Sequence, residues 1–235
     1  MRTQKMITLL LAVVLAGGMT LSSCAPSKQA RTVDVGTTGI LGDYSMLSEG
    51  TGDQGLRTYR NKNANWAKYT KVIIDPVKFQ KPEDASQEEL GDLQKLVNNM
   101  EILLRQEVGK DYQIVTDPGP GTLRVRAAIF DAKKKRMVGN ILSSLVPIGI
   151  GLSIVKDVAL GKPLAVGEIS GEMKINDSQT NELLAAAIDR RVGQKYSGGA
   201  FDSWSEANAA IEYWAKRLRF ALCNARGGAN CVEPQ

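Results

Sequence analysis

The sequence contains no histidine. After residue 24, the side chains that could do chemistry are therefore carboxylates and two cysteines. Without histidine, neither a Ser-His-Asp nor a Cys-His nucleophile system can be built, and the His-bearing zinc sites of hydrolases are also excluded. No Walker-type phosphate loop is present, and Gly149 and Gly151 lack the rest of a dinucleotide fingerprint. The sequence therefore predicts neither a metal nor another cofactor.

Acid–base chemistry remains open to carboxylates, and four aspartates lie where turns or strand ends are expected: Asp75, Asp131, Asp177 and Asp189. A hydrolase that uses two carboxylates needs them close together, whereas a solvated surface is the usual place for such residues. Because their mutual distances do not follow from the sequence, a hydrolase stays an alternative. We expect a protein without catalytic activity.

Cys223 and Cys231 lie near the C-terminus with seven residues between them. In an oxidising compartment we expect them to form a disulfide that closes a small loop and adds a few kcal/mol of stability at most. Two free thiols are the alternative in a reducing compartment. A metal or redox site is disfavoured, because the spacing is not C-x-x-C and no histidine completes a site.

The third cysteine, Cys24, follows a segment with the organisation of a secretory signal peptide. Arg2 and Lys5 precede an apolar stretch at residues 6–19, and Ser22 and Ser23 stand before the cysteine. The run "LSSC" resembles the lipobox of bacterial lipoproteins. This resemblance implies that residues 1–23 are removed and that Cys24 carries palmitate-type acyl chains, which hold a protein firmly on a bilayer.

The residue after Cys24, at position 25, indicates which membrane carries the lipid anchor. It is Ala25 rather than aspartate, which by analogy with Gram-negative sorting rules favours the outer membrane, with the domain facing the periplasm.

Removing residues 1–23 takes away two basic residues and no acidic one, so the net charge falls from +5 to +3. That charge is too small to predict a nucleic acid partner.

Residues 24–65 are rich in Gly, Ser, Thr and Asn, which predicts a tether or a loosely docked arm. One stretch differs, because "GILGDYSML" at residues 39–47 holds five apolar or aromatic residues in nine. We expect this cluster to dock on another surface.

Residues 66–235 form the predicted domain, which opens with a strand and a helix. The strand covers residues 71–79, and Pro76 moves its second half to an edge or a bulge. Ser86 and Glu89 form a capping box, and Gly109 ends the helix that follows. The apolar stripe of this helix comprises Leu93, Leu96, Val97, Met100, Leu103 and Leu104.

Four strands and a second helix complete the domain. Strands are predicted at residues 112–115, 123–129, 165–175 and 183–191, with a hairpin connection at 176–181. Ser203 and Glu206 repeat the capping box. The stripe of the second helix comprises Ala207, Ala210, Ile211, Trp214, Leu218 and Leu222. The order β-α-β-β-(apolar insert)-β-β-α predicts an α+β fold, a largely antiparallel sheet with two amphipathic helices on it.

The apolar insert, residues 137–160, includes nineteen consecutive uncharged residues at 137–155. Pro147, several glycines and three serines disfavour a spanning helix, and blocks of apolar residues disfavour a membrane β-hairpin. We expect the insert to fold back over the sheet as two short helices. If it is exposed instead, it marks a partner or lipid contact. The candidate contact residues are Leu145, Val146, Ile148, Ile150 and Leu152.

Three segments carry a wider resemblance: "GILGDYSML" at residue 39, "YTKVIIDPVKF" at residue 69 and "GEMKINDSQTNELLAAAIDRR" at 171–191. Together they resemble a family of proteobacterial lipoproteins known only as a domain of unknown function. Where many members carry glycine in the hairpin turn, this chain has Asn181, which tolerates the same left-handed conformation. The resemblance implies location and fold, and supplies no reaction.

The layout is also similar to periplasmic lipoproteins of the curli-secretion-pore and penicillin-binding-protein-activator type, an analogy of fold that does not carry function. We therefore expect a lipid-anchored, periplasm-facing binding or assembly module of the cell envelope, which acts through contacts with an envelope protein. The alternatives are an oligomeric pore-like or secretion-accessory lipoprotein of the outer membrane, in which the chain forms a homo-oligomer, and an envelope hydrolase with paired carboxylates.

Overall fold

The computed structural model describes residues 28–30, 36–82, 85–133, 168–192 and 204–234. These residues form a nine-stranded sheet and two α-helices. The strands are β1 Lys28–Gln29, β2 Ser48–Glu49, β3 Arg57–Arg60, β4 Lys71–Ile74, β5 Lys78–Phe79, β6 Gln113–Ile114, β7 Thr122–Lys133, β8 Glu168–Asp177 and β9 Leu183–Val192. The helices are α1 Gln87–Val108 and α2 Ser205–Ala225. The predicted α+β fold is confirmed.

The sheet runs in the order β2-β3-β9-β8-β7-β4-β6, while β1 pairs with β9 and β5 with β7. The pairs among β3, β9, β8 and β7 are antiparallel. In contrast, β4 is parallel to both β6 and β7, because α1 crosses over the sheet between β4 and β6. The sheet is therefore mixed, and mostly antiparallel as predicted.

Proline divides the strand predicted at residues 71–79. Both β4 and β5 pair with β7, and Pro76 lies in the gap between β4 and β5. Since proline has no N–H to donate, pairing stops there and resumes two residues later. The predicted disturbance at this residue is confirmed.

Helix α1 begins at the predicted capping box. The Ser86 hydroxyl accepts from the Glu89 N–H at 3.2 Å, and the Glu89 carboxylate accepts from the Ser86 N–H at 2.9 Å. Gly109 is the C-cap, as predicted. Helix α2 differs, because its N-cap is Trp204, without a side-chain cap hydrogen bond. The predicted cap Ser203 lies outside the described residues.

Both helices pack on one face of the sheet, here called the helix-side face. Leu123, Val125 and Ile129 of β7 are fully buried there, together with the apolar stripes of α1 and α2. The alternate residues of β7, among them Arg124 and Arg126, lie on the opposite face, here called the outer face. Within the described part of the chain, no helix has the length and hydropathy needed to cross a membrane.

An arm, residues 36–49, covers part of the outer face. Leu47 is buried there in a second apolar cluster with three residues of β7 and β9: Phe130, Ala186 and Ile188. Strand β3 follows the arm and pairs with β9. The cluster predicted at residues 39–47 therefore docks on the sheet, and the sheet begins before the domain start predicted at residue 66.

Candidate functional site

Asp177, at the start of the β8–β9 hairpin turn, is a structural acceptor. Its carboxylate accepts from the backbone N–H groups of Gln179 and Thr180 and, at 2.8 Å, from the Tyr69 hydroxyl. Lys68 Nζ lies 3.3 Å from Oδ2. Burial alone would raise the pKa of Asp177, but these hydrogen bonds outweigh it and lower that pKa to about 2.

Asp189, on the helix-side face of β9, connects the sheet to α2. Its carboxylate accepts from Trp214 Nε1 at 2.8 Å and from the Gln29 amide at 2.6 Å. Arg191 Nη1 lies 3.8 Å away. Burial raises the pKa of Asp189 in spite of these partners. Across the ladder Asp189 faces Gly171, where an added Cβ would lie 2.8 Å from the Trp214 ring.

Asp75 and Asp131 both lie on the outer face, and a Cβ at Gly36 of the arm would lie 3.9 Å from Asp131 Oδ2. The Asp75 carboxylate accepts from Arg124 Nε at 2.8 Å and from Arg126 Nε at 3.0 Å. Burial opposes ionisation of Asp75, but the two guanidiniums hold its pKa below the usual range. Asp131 is exposed, with a φ of 48° at an irregularity in the ladder of β7 and β8.

No two of these four aspartates share a site. Asp177 lies opposite Leu123 and Asp189 opposite Gly171, so the two are separated by six residues along β8, or about 20 Å. Asp75 and Asp131 are separated by a similar length of β7, on the other face. Paired carboxylates act together within about 10 Å, so these four positions do not form a catalytic pair.

Glu172 is the carboxylate that sequence reasoning missed. It lies on the outer face of β8, is 1% exposed, and accepts four hydrogen bonds from the arm. Thr38 donates from its N–H and its hydroxyl to Oε2, while the Leu41 N–H and the Tyr44 hydroxyl donate to Oε1. An isolated charged residue in a strand predicts a solvated position, so only the docked arm reveals this role.

A cleft with a volume of about 330 Å³ lies between α2 and strands β3, β9 and β8. Its floor includes three small residues, Gly171, Ala185 and Ala187, together with Met173 and Ile175. The seven strands in the main order span about 29 Å at 4.8 Å each, whereas two helices side by side cover about 20 Å. The helices therefore leave the β3 side of the sheet partly uncovered.

Aromatic and charged side chains form the walls of this cleft. Trp214 and Tyr213 of α2 line one side and Trp66 another. The Arg217 guanidinium lies 5.0 Å from the centroid of the Phe220 ring, and that of Arg60 lies 5.8 Å from the Trp66 ring. The cleft therefore combines an apolar floor with cations stacked on aromatic rings, an arrangement suited to an apolar partner segment.

The cysteine pair is bonded as predicted. Cys223, in the last turn of α2, forms a disulfide with Cys231, with a Cα–Cα distance of 5.6 Å. The lipidation candidate Cys24 lies outside the described residues, as do the five predicted contact residues of the insert: Leu145, Val146, Ile148, Ile150 and Leu152. Among the described residues there is no group of three or more His, Cys, Asp or Glu side chains that could hold a metal.

Three solved structures share part of this backbone arrangement at low sequence identity. The PelC dodecamer from Paraburkholderia phytofirmans is 9% identical, with a TM-score of 0.40 and coverage of 74% of this chain and 98% of that one. The hypothetical protein CT253 from Chlamydia trachomatis is 9% identical, with a TM-score of 0.35 and coverage of 66% and 98%. Protein XCC0632 from Xanthomonas campestris, of the DUF330 family, is 10% identical, with a TM-score of 0.36 and coverage of 68% and 87%.

These partial similarities of backbone identify no function. No curated protein matches the chain significantly in sequence. A family model described as "Protein of unknown function (DUF3313)" matches residues 37–218, a range that contains all three segments on which the predicted resemblance rests. The chain therefore belongs to this family of unknown function.

Proposed function

We propose that this protein is a lipid-anchored binding or assembly module of the bacterial cell envelope that faces the periplasm and has no catalytic role. The observation that carries the proposal is the cleft of about 330 Å³ between α2 and strands β3, β9 and β8. Small residues in its floor, namely Gly171, Ala185 and Ala187, leave room for side chains from outside the domain. The partner is an envelope protein that inserts an apolar segment there.

Two further observations support this function. Each described carboxylate discussed above serves as an acceptor that holds segments of the fold together or lies alone, which favours binding over hydrolysis. The disulfide between Cys223 and Cys231 is of the kind that persists in oxidising compartments such as the periplasm. The signal peptide and the lipobox around Cys24 provide the corresponding route of export and anchoring.

Site-specific photocrosslinking in cells tests the role of the cleft. A photoreactive residue at Ala221, an exposed position that lines the cleft, should form an adduct with a discrete envelope protein. The matched control is Ile102, which is 53% exposed on α1, outside the cleft lining. Ala187→Leu, which fills the floor, should abolish the adduct in a folded chain. Equal adducts at both positions, or an adduct that survives Ala187→Leu, would contradict the proposal.

Lipid anchoring has a separate test. Cys24→Ala removes the acylated thiol and should leave an unprocessed or mislocalised precursor, detected by metabolic labelling with a fatty acid and by membrane fractionation. Normal processing and membrane retention of this variant would refute the anchor. The cleft and the anchor can fail independently, since one concerns the folded domain and the other the N-terminal segment.

A further inference from the structure

Two arginines bind one carboxylate on the outer face of the sheet, and a lysine lies across the ladder from one of them. Arg124 and Arg126 of β7 both donate through Nε to Asp75, at 2.8 and 3.0 Å, and Lys174 of β8 lies beside them. The remaining acid nearby is Glu172, whose carboxylate already accepts four hydrogen bonds from the arm. The cluster of Arg124, Arg126 and Lys174, here called the cation cluster, is therefore short of negative charge.

The register of the sheet places two of these cations directly opposite each other. Arg126 pairs with Lys174 across the antiparallel ladder, and like charges at such positions destabilise a sheet. Burial and the nearby Arg126 charge both lower the pKa of Lys174. In the described part of the chain, no residue forms a hydrogen bond or an ion pair with its ammonium group. A charge conflict of this kind is typical of a functional position.

The two arginines are held by Asp75 through Nε, which leaves their Nη atoms able to donate to a ligand. Asp75 binds each through Nε, and none of the described residues accepts a hydrogen bond from their Nη atoms. Their side chains are 33% and 34% exposed. Planar guanidiniums held side by side, with an ammonium group alongside, match the oxygens of a phosphate group.

We propose that the cation cluster binds a phosphate group, either free or carried by a lipid headgroup. The bound anion would lie between Arg126 and Lys174 and would remove their mutual repulsion. The site lies on the sheet face opposite to the cleft, so it does not depend on the proposed binding function, and either can fail alone.

Thermal unfolding and titration calorimetry of the detergent-solubilised full chain test this site. Two probes are used: inorganic phosphate and monomeric dihexanoyl phosphatidylglycerol, at constant ionic strength. At least one should raise the midpoint of unfolding and bind with a measurable Kd. Lys174→Gln should weaken that Kd at least tenfold, whereas Lys95→Gln, which makes the same charge change on the exposed side of α1, should leave it unchanged.

The unliganded variants supply a second readout. If Lys174 serves anion binding, Lys174→Gln relieves repulsion and should raise the midpoint of unfolding without ligand. Binding of inorganic phosphate identifies a site for the free anion, and binding of the lipid alone identifies a headgroup site. The proposal is overturned if neither probe binds, if both lysine variants respond equally, or if Lys174→Gln lowers the unliganded midpoint.

Discussion

At the scale of single residues, a glycine decides where the bulky Trp214 side chain of α2 can lie. The Trp214 ring approaches the backbone of Gly171 so closely that a Cβ there would lie 2.8 Å from the ring. This approach brings Trp214 Nε1 to the Asp189 carboxylate at 2.8 Å. The absence of a side chain at position 171 therefore allows a buried hydrogen bond between helix and sheet.

Gly171→Ala should destabilise the protein by about 1 to 3 kcal/mol, because the new methyl group overpacks the contact with Trp214. The control is Gly91→Ala in α1, where an added Cβ meets no atom within 4 Å. That change should stabilise the helix by about 0.5 to 1 kcal/mol. Urea unfolding measures both. Equal stability of Gly171→Ala and the natural chain would show that Trp214 can move away at no cost.

The lowered pKa of Asp177 predicts that the free energy of unfolding decreases by a defined amount in acid. Its pKa is about 2 in the folded chain, against 3.8 for the free group, so the folded state favours the carboxylate. The resulting stabilisation, about 2 kcal/mol, is fully present above pH 4 and disappears as the pH falls toward 2. Asp177→Asn lacks this contribution at every pH.

The difference in unfolding free energy between the natural chain and Asp177→Asn should therefore shrink as the pH falls from 5 to 2. Chemical denaturation at several pH values measures it. A difference that stays constant over this range would show that the shape of the side chain matters at position 177, and its charge does not.

At the scale of elements, the sequence predicts what local signals determine. The capping box at Ser86, the stop at Gly109 and the break at Pro76 were predictable, because each depends on residues within one turn. The pairing of β3 with β9 and the role of Glu172 were not, since they join distant segments through register. Ala185 and Ala187 are visible in the sequence as part of a run of small residues. That they lie in the floor of a cleft follows only from the structure, because the two helices are too narrow to cover the whole sheet.

The disulfide at the end of α2 should stabilise the folded chain. Replacing both Cys223 and Cys231 by serine should reduce stability by about 2 to 3 kcal/mol, since the unfolded chain gains the entropy of an opened small loop. Thermal unfolding with and without a reductant measures the effect. The reductant should lower the midpoint of the natural chain to that of the double variant and leave the variant unchanged. Any other pattern would indicate that the bond does not form or does not stabilise.

At the scale of the whole molecule, Glu172 attaches the arm to the sheet. Its two oxygens accept four donors from residues 38–44, in the same arm whose Leu47 packs in the outer apolar cluster. The amide of a glutamine would turn an N–H₂ group toward two of those donors. A buried donor left without an acceptor costs about 1 to 3 kcal/mol, which is enough to release a short segment.

Glu172→Gln should therefore increase amide hydrogen exchange in residues 36–49 at least tenfold, while exchange in β7 and β8 stays slow. The matched control is Glu182→Gln on the same hairpin, where an exposed carboxylate accepts one hydrogen bond from Asn61. Mass spectrometry of deuterated peptides measures both variants. Unchanged protection of the arm in Glu172→Gln would show that apolar packing of Leu47 alone holds it.

The position of the arm also determines the order in which the chain can fold. Leu41 bonds to Glu172, 131 positions later, and Gln29 bonds to Asp189, 160 positions later. Contacts of such long sequence separation form slowly, because a large loop must close before they are made. A chain that emerges from its N-terminus leaves the arm without its acceptor until β8 and β9 have appeared. The arm is therefore made early in synthesis and yet can complete its contacts only after β8 and β9 have been made.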